Sequence, residues 1–377
     1  MNLEHKTIQN KLKPYQNALI FSQFISSQSL GRRHSLVEDD EDMMYLGALD
    51  PFFIDKTKLR LSPFLPRLSG VSQVFLSCAR SNRLNHTEEV VSIATTIGRI
   101  LGLNVHLVEA IALLHDFGHP FCGHLGERLI GEFSGREFNH AVMSIVIAQK
   151  IARDGKGLNL SYETLEGALG HQRADGSLEP DYSKPAEYGV LIIADKLACV
   201  LSDLEAAVRR SHIGRDKLPL EFFALGHNHP TRLFNCIFAL IKESAEKGKI
   251  SFVESEIARQ FEALRQWNYK NFYYPLDNEP FREKIKTDFK KAYAFLYDLF
   301  SGFDYDPFLV FVLMTDREIL KIMKTVNTNR ELIYKKNFLN QFPALEIAAN
   351  LPDHKKINIF NADLDKSKFK MFDYFAD

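Results

Sequence analysis

The chain has 377 residues, more than the roughly 100–200 of an ordinary single domain, and its 45% apolar and 25% charged content is that of a soluble globular protein with a sizeable core. Its 47 basic and 48 acidic residues leave a net charge of −1, which excludes a global field for nucleic acid or a membrane surface, so any anionic ligand has to be held by local charge. Four scattered cysteines, Cys78, Cys122, Cys199 and Cys236, form no C-x-x-C pair, which argues against a zinc ribbon or a secreted disulfide framework and for a reducing cytoplasm.

Taken in chain order, the first stretch, MNLEHKTIQNKLKPYQ, lacks the apolar core of a signal peptide. Residues 1–60 read as a weakly patterned N-terminal extension, and the acidic run EDDED at 38–42 reads as a solvated loop without chemistry. Residues 61–325 carry the helical periodicity of the main domain. From Leu84 to Leu101 the apolar positions Val90, Ile93, Ala94, Ile97, Ile100 and Leu101 recur at three- and four-residue spacing, and Gly102 follows as a stop. Asn104 is placed to cap a second helix, from Val105 to Phe117, which Gly118 and Pro120 end. Further helices are expected at about 138–152, 161–169 and 186–210, the last beginning at Pro185. IARQFEALRQWNYKNFYY and IKTDFKKAYAFLYDLF are helix-like as well. Runs such as FLVFVLM at 308–314 fall far short of the ~20 residues that span a bilayer, so no membrane insertion is expected. Residues 326–377 form a C-terminal extension with no assigned role. Alternating strand patterns are scarce, and the expected fold class is all-α.

The polar residues on these helices suggest a site. At ~100° per residue His86 falls in line with Val90, Ile93 and Ile97, and His115 with Val108, Ile111 and Ala112. Both imidazoles therefore face inward, where a hydrogen-bonded core histidine is one reading. Asp116, beside His115, favours another: a buried carboxylate left unpaired costs several kcal/mol, and a metal ion is one source of the compensating charge. Across the helix at 186–210, Asp195, Cys199 and Asp203 lie opposite the stripe of Val190, Ile193, Leu197, Val200, Leu201, Leu204 and Val208. Ile192 and Ala198 share their side, where a solvated face would carry Lys and Glu, so a cleft wall fits better than a solvent face. Two His and two Asp could hold a divalent metal while leaving positions open to water and a phosphate oxygen, and such mixed ligation suits Mn, Fe or Zn and tolerates Mg. The HxxxH at 115–119 is not a zinc-protease helix, because no Glu follows His115 and Gly118 with Pro120 ends the helix.

Six blocks, RLNHTEEV (83–90), ALLHDFGHPFCGHLGE (112–127), EFNHAVMS (137–144), LNLSYETLEGALGH (158–171), IADKLACVLSDLEAAV (193–208) and MTDR (314–317), resemble in order those of the HD-domain deoxynucleoside triphosphate triphosphohydrolases, the dGTPase family. The resemblance covers about 65–325. It implies an HD-domain helical fold with additional peripheral helices, and metal ligation by His86, His115, Asp116 and Asp195. The implied reaction is cleavage of a dNTP to deoxynucleoside and tripolyphosphate by water attack at the α-phosphorus. It further implies that His124 is the catalytic histidine oriented by Glu127, with His140 and His119 as neighbouring phosphate-site histidines, that Arg83 and Lys196 contact the triphosphate, and that Asp203 binds the 3′ hydroxyl. An imidazole suits protonation of a departing alkoxide near neutral pH, and a carboxylate partner can fix its tautomer.

The chain departs from the family pattern at Ser69, where Gln is usual, at Val71, where a basic residue is usual, and at Cys199, where Tyr is usual. These positions border the implied sugar pocket, and their smaller side chains are expected to loosen discrimination between deoxyribose and ribose. The expected protein is thus a cytoplasmic dNTP triphosphohydrolase using Mn²⁺ or Mg²⁺, with Fe, Zn or Ni as alternatives. The resemblance implies a homo-oligomer and leaves a second nucleotide effector and nucleic-acid binding open. Competing readings are an HD enzyme acting on another nucleotide or phosphoester and a catalytically retired nucleotide-sensing module.

Overall fold

The computed structural model describes residues 10–19, 29–47, 50–74, 82–172, 176–214, 217–278, 280–300, 307–329, 331, 341–352 and 357–371. Several helices begin where the sequence supplies a cap. Asp50 accepts from the N–H groups of Phe52 and Phe53 and, with Pro51 in the first turn, starts α1 (Pro51–Leu61). The stripe ending at Leu101 forms α2 (Arg83–Leu101), and Asn104 caps α3 (Val105–Leu114) by accepting from the Leu107 N–H at 3.2 Å. After α4 (His124–Ser134), Asn139 caps α5 (His140–Val146) through the N–H groups of Ala141 and Val142. A wider π turn over Ile147–Ile151 continues α5, so the helix expected at 138–152 changes pitch part-way. There follow α6 (Tyr162–Leu169), α7 (Ala186–Arg209), α8 (His229–Lys247) and α9 (Glu256–Asn268), which passes into a second π turn at Tyr269–Tyr273. The last are α10 (Pro280–Phe300), α11 (Pro307–Leu313), α12 (Asp316–Thr328) and α13 (Pro343–Asn350). No strand occurs among the described residues, only isolated bridges such as Arg32 with Lys370, and the fold is all-α as expected.

The chain divides into two compact units, a first of Met1–Ser29, Glu88–Ala112 and Gly170–Leu276 and a second of Leu30–Thr87, Leu113–Leu169 and Asp277–Asp377. In the first, α7 packs against α8 and α9. The inward stripe of α7, Val190, Ile193, Leu197, Val200, Leu201 and Leu204, is at most 2% exposed, and each such side chain contributes roughly 1.5–3 kcal/mol by leaving water. In the second, α10 packs on α11 and α12, and α11 on α4 and α13. Phe289 of α10 centres this core, with the rings of Phe121, Phe133 and Phe311 at 5.2, 5.3 and 5.3 Å. Phe121 lies in the segment between α3 and α4, so this core supports the loop that carries the candidate site.

The acidic run at 38–42 is not the solvated loop expected of it. Asp39 caps a short helix at Asp40–Met43, and Asp42 is 1% exposed. Its carboxylate pairs with Lys58 at 2.6 Å and Arg153 at 3.0 Å, while Arg153 also reaches Asp39 at 2.5 Å and Glu41 at 2.7 Å. Burial is the main reason that the Lys58 ammonium falls to about 8. A run of like charges reads as solvated only while its partners, here 16 and 111 residues away by Asp42's pairings, are out of view.

Candidate active site

The segment between α3 and α4 is shaped by close contacts. α3 ends at Leu114 rather than at the expected Phe117, and tight turns follow, with the Phe117 N–H donating to the Leu114 carbonyl and the His119 N–H to the Asp116 carbonyl, both at 3.1 Å. Gly118 explains the early stop. A Cβ there would lie 2.1 Å from the His140 carbonyl oxygen and 2.3 Å from the Ser144 nitrogen, so only glycine lets this turn rest on α5. Ser144 fastens it, accepting from the Gly118 N–H at 2.8 Å and donating to the His115 carbonyl at 2.9 Å. From the other side the Arg67 guanidinium donates to the carbonyls of Phe117, His119, Val312 and Leu313 at 3.3, 3.0, 2.7 and 2.9 Å. Loss of hydration brings this guanidinium down to about 10.

The turn brings His115 and Asp116 to His86 of α2, all within the second unit. His86 on α2 is 6% exposed, and His115 and Asp116 in the turn after α3 are 0% and 1% exposed. One donor atom from each lies within 4.8 Å of the others. Asp116 Oδ1 is 3.4 Å from His115 Nε2 and Asp116 Oδ2 is 3.8 Å from His86 Nε2. Donors bound at about 2.1 Å to one ion are at most about 4.2 Å apart, and both Asp116 distances lie inside that limit, so this cluster of two imidazoles and a carboxylate could hold a divalent metal. Burial works to raise the Asp116 carboxyl, yet the charges of His115, Arg83 and His119 hold it well below the usual carboxylate range, ionised as a ligand must be. Arg83 donates to Asp116 at 3.1 Å and is 3% exposed, while its Nε and Nη2 have no hydrogen-bond partner among the described residues. Buried guanidinium nitrogens in that state suit an anion.

Beside the cluster His119, His124, Glu127 and His140 form a relay. Glu127 lies 2.8 Å from His124 Nδ1 through Oε2, while Oε1 accepts from the His140 N–H at 2.9 Å and lies 3.1 Å from His140 Nδ1. The His119 and His140 rings stack with centroids 3.8 Å apart, and His119 Nε2 is 3.2 Å from Asp116 Oδ1. Burial opposes ionisation of Glu127, but His140 and the hydrogen bond with His124 hold it well below the ordinary range. An ionised Glu127 accepts, so Nδ1 of His124 carries the proton and Nε2 is the working atom. The His124 ring is solvent-accessible yet set deep among protein atoms. Lost hydration therefore lowers its pKa, with Arg83 and His140 adding to the effect and Glu127 opposing it. His119 is buried and pushed well down by the same loss of hydration, by Arg83 and by His140. The four donor atoms of the relay also meet the spacing of a metal-binding group, but both oxygens of Glu127 are engaged by histidines, which favours the His86, His115 and Asp116 set for the ion.

The remaining predicted residues lie in other elements. Asp195, Lys196, Cys199 and Asp203 lie on α7 in the first unit. Asp195 is 7% exposed and Asp203 2%, so this face is not solvated. Lys196 Nζ donates to Asp195 Oδ2 at 2.7 Å, and although burial works to lower it, that carboxylate raises the ammonium's pKa. The sequence reading missed Tyr273, whose hydroxyl donates to Asp203 Oδ2 at 2.7 Å and lies 3.7 Å from Cys199 Sγ. The thiol also donates to Asp203, at 3.2 Å. Ser69, in the second unit, is exposed and donates to the Pro66 carbonyl at 2.7 Å. Arg67 and Asp316 were missed as well. The MTDR block containing Asp316 was visible, but nothing local assigns it a contact.

Residues 83–202 match the HD domain family model. The chain is 31% identical to the deoxyguanosinetriphosphate triphosphohydrolase-like protein of Clostridium tetani over 66% of this chain and 72% of that relative. It is 32% identical to the protein of the same description from Clostridium perfringens strain 13 over 72% of this chain and 80% of the relative. With that of Caldanaerobacter subterraneus subsp. tengcongensis it shares 34% identity over 65% and 71% of the two chains.

Proposed function

The chain belongs to the HD-domain family of deoxyguanosinetriphosphate triphosphohydrolase-like proteins, and from that premise we propose that it hydrolyses deoxynucleoside triphosphates to deoxynucleoside and tripolyphosphate by water attack at the α-phosphorus. The observation that carries this reading is the shared placement, in one unit, of a buried His86, His115 and Asp116 set and a histidine held by an ionised Glu127. A divalent ion, Mn²⁺ or Mg²⁺ in this proposal, would be held by His86, His115, Asp116 and Asp195 and would supply Lewis-acid polarisation and acidified water.

The chain's own residues account for the rest. His124, its Nδ1–H held by the Glu127 carboxylate, takes up a second proton at Nε2 and, as the imidazolium, gives that proton to the departing 5′ oxygen. His140 shares that carboxylate and so sets its orientation, and His119, kept neutral, packs between His140 and Asp116. The unmatched nitrogens of Arg83 take a phosphate oxygen, with Lys196 as a second cation. Asp203 receives the 3′ hydroxyl in a wall built by Cys199 and Tyr273. A homo-oligomer in the cytoplasm is part of the proposal. Cys122, Cys199 and Cys236 are free thiols, Cys78 lies outside the described residues, and no helix among the described residues is long and apolar enough to cross a membrane.

The test is to incubate the purified protein with each dNTP and Mn²⁺ or Mg²⁺ and resolve the phosphate products. Intact tripolyphosphate with deoxynucleoside is expected. Orthophosphate or pyrophosphate as the first product would assign a different phosphohydrolase reaction, and binding without turnover would leave a sensing module.

A further inference from the structure

Helix α4 starts abruptly. His124 is its first residue, and the preceding Gly123 offers no side-chain cap. The position of the imidazole therefore depends on the backbone of residues 122 and 123, and that backbone is unusual. Cys122 and Gly123 both have φ of +56°, a region that is strained for a non-glycine residue. Glycine is required at 123, where a Cβ would also meet the Ser72 carbonyl oxygen at 2.9 Å and Arg83 Nη2 at 3.2 Å. A left-handed pair of this kind persists only where its surroundings impose it.

One side chain does so from 194 residues away. Asp316 Oδ1 accepts from the Cys122 N–H at 2.5 Å, and its Oδ2 accepts from both the N–H of Ser72, at 3.1 Å, and the Ser72 hydroxyl. The same carboxylate thus fixes the strained turn and the strand-like segment on which the turn lies. Asp316 is itself fixed, being the first residue of α12, where Thr315 and Glu318 form a capping box, and it is 6% exposed. Among the described residues its hydrogen bonds go to Ser72 and Cys122, which belong to neither the metal-ligand set nor the relay.

We propose that Asp316 is a positioning residue for His124, holding the Cys122–Gly123 turn so that the imidazole stands where the leaving oxygen needs its proton. The proposal rests on the reading of His124 as the proton donor.

The test uses the full chain with Mn²⁺ and two substrates: the dNTP it hydrolyses, and the analogue with sulfur in place of the bridging 5′ oxygen, whose thiolate departs without a proton. Asp316→Ala is expected to lower kcat on the dNTP about 10- to 100-fold while leaving KM, bound Mn²⁺ and turnover of the thio analogue within about threefold of wild type. Asp316→Asn keeps one acceptor oxygen for the Cys122 N–H but loses the acceptor for the Ser72 N–H, and is expected to lose about five- to tenfold on the dNTP with the thio analogue within about twofold of wild type. If Asp316→Ala does not fold, the asparagine variant carries the comparison by itself. Equal losses on both substrates, loss of bound Mn²⁺, or no loss on the dNTP overturns the proposal. Normal dNTP turnover in His124→Ala would instead remove the reading beneath it, so the two failures are distinct.

Discussion

Glu127 sits between two imidazoles, with one carboxylate oxygen 2.8 Å from His124 Nδ1 and the other 3.1 Å from His140 Nδ1. Because Glu127 stays ionised, the arrangement selects one tautomer of His124 and points its second nitrogen away from the carboxylate. His124→Ala is therefore expected to lower turnover about 10² to 10⁴-fold with substrate and metal binding retained. Glu127→Gln, which can donate where the wild type only accepts, should lose part of the same factor. Binding by calorimetry and kcat by product release separate the two effects, and normal turnover in His124→Ala would assign the proton to another group.

The metal set makes a prediction of its own. Wild-type protein should melt at a higher temperature with Mn²⁺ present, by the equivalent of about 2.7 kcal/mol at a hundredfold excess over Kd. His115→Ala and Asp116→Ala should abolish that shift together with metal content and activity. If these histidines were only hydrogen-bonded core residues, the variants would lose stability while the response to Mn²⁺ stayed as in wild type.

A pH dependence of folding follows from Glu243 on α8. Its oxygens accept from the Ser251 hydroxyl at 2.6 Å and from the N–H groups of Val253, Glu254 and Ser255 at 2.9, 3.1 and 3.0 Å. Burial works against the charged form, but these donors prevail and bring the carboxyl to about 2. A depressed carboxyl stabilises the fold fully above its unfolded pKa of about 4.5, and the contribution is lost as pH falls from there toward 2. Discounted for solvent screening it amounts to roughly 1–3 kcal/mol. Urea titrations at pH 7 and pH 3 should show Glu243→Gln destabilised by that amount at pH 7 and by less than about half of it at pH 3, where the folded-state carboxyl is still mostly ionised.

If α7 carries the proposed sugar pocket, selectivity is expected to turn on Tyr273 rather than on Cys199 alone. The small Cys199 leads the sequence to predict an open wall, but the Tyr273 hydroxyl stands 3.7 Å from its sulfur and donates to Asp203. Tyr273→Ala is expected to reduce the ratio of kcat/KM for dGTP over GTP, or for the preferred base, by about tenfold, within the roughly 1–3 kcal/mol that a small pocket contact is worth. Cys199→Ala should change it by less than about twofold. An unaltered ratio in Tyr273→Ala would mean that another side chain closes the pocket.

What the sequence determined by itself is what short-range physics encodes. Apolar periodicity marked α2, α3 and α5, Asn104 marked the start of α3, and the same periodicity predicted that His86 and His115 face inward, because helix phase is a local property. Gly118 and Pro120 marked where α3 had to stop, though not that Gly118 lies against α5, which moved the end back to Leu114. The tertiary structure alone decided the long-range pairings. Asp42 with Arg153, Arg67 with the carbonyls of Phe117 and His119, Asp203 with Tyr273 and Asp316 with Cys122 join residues 111, 50 and 52, 70 and 194 positions apart. Each depends on a buried polar group finding its complement wherever the packed helices bring one, and no local pattern carries that partner's identity.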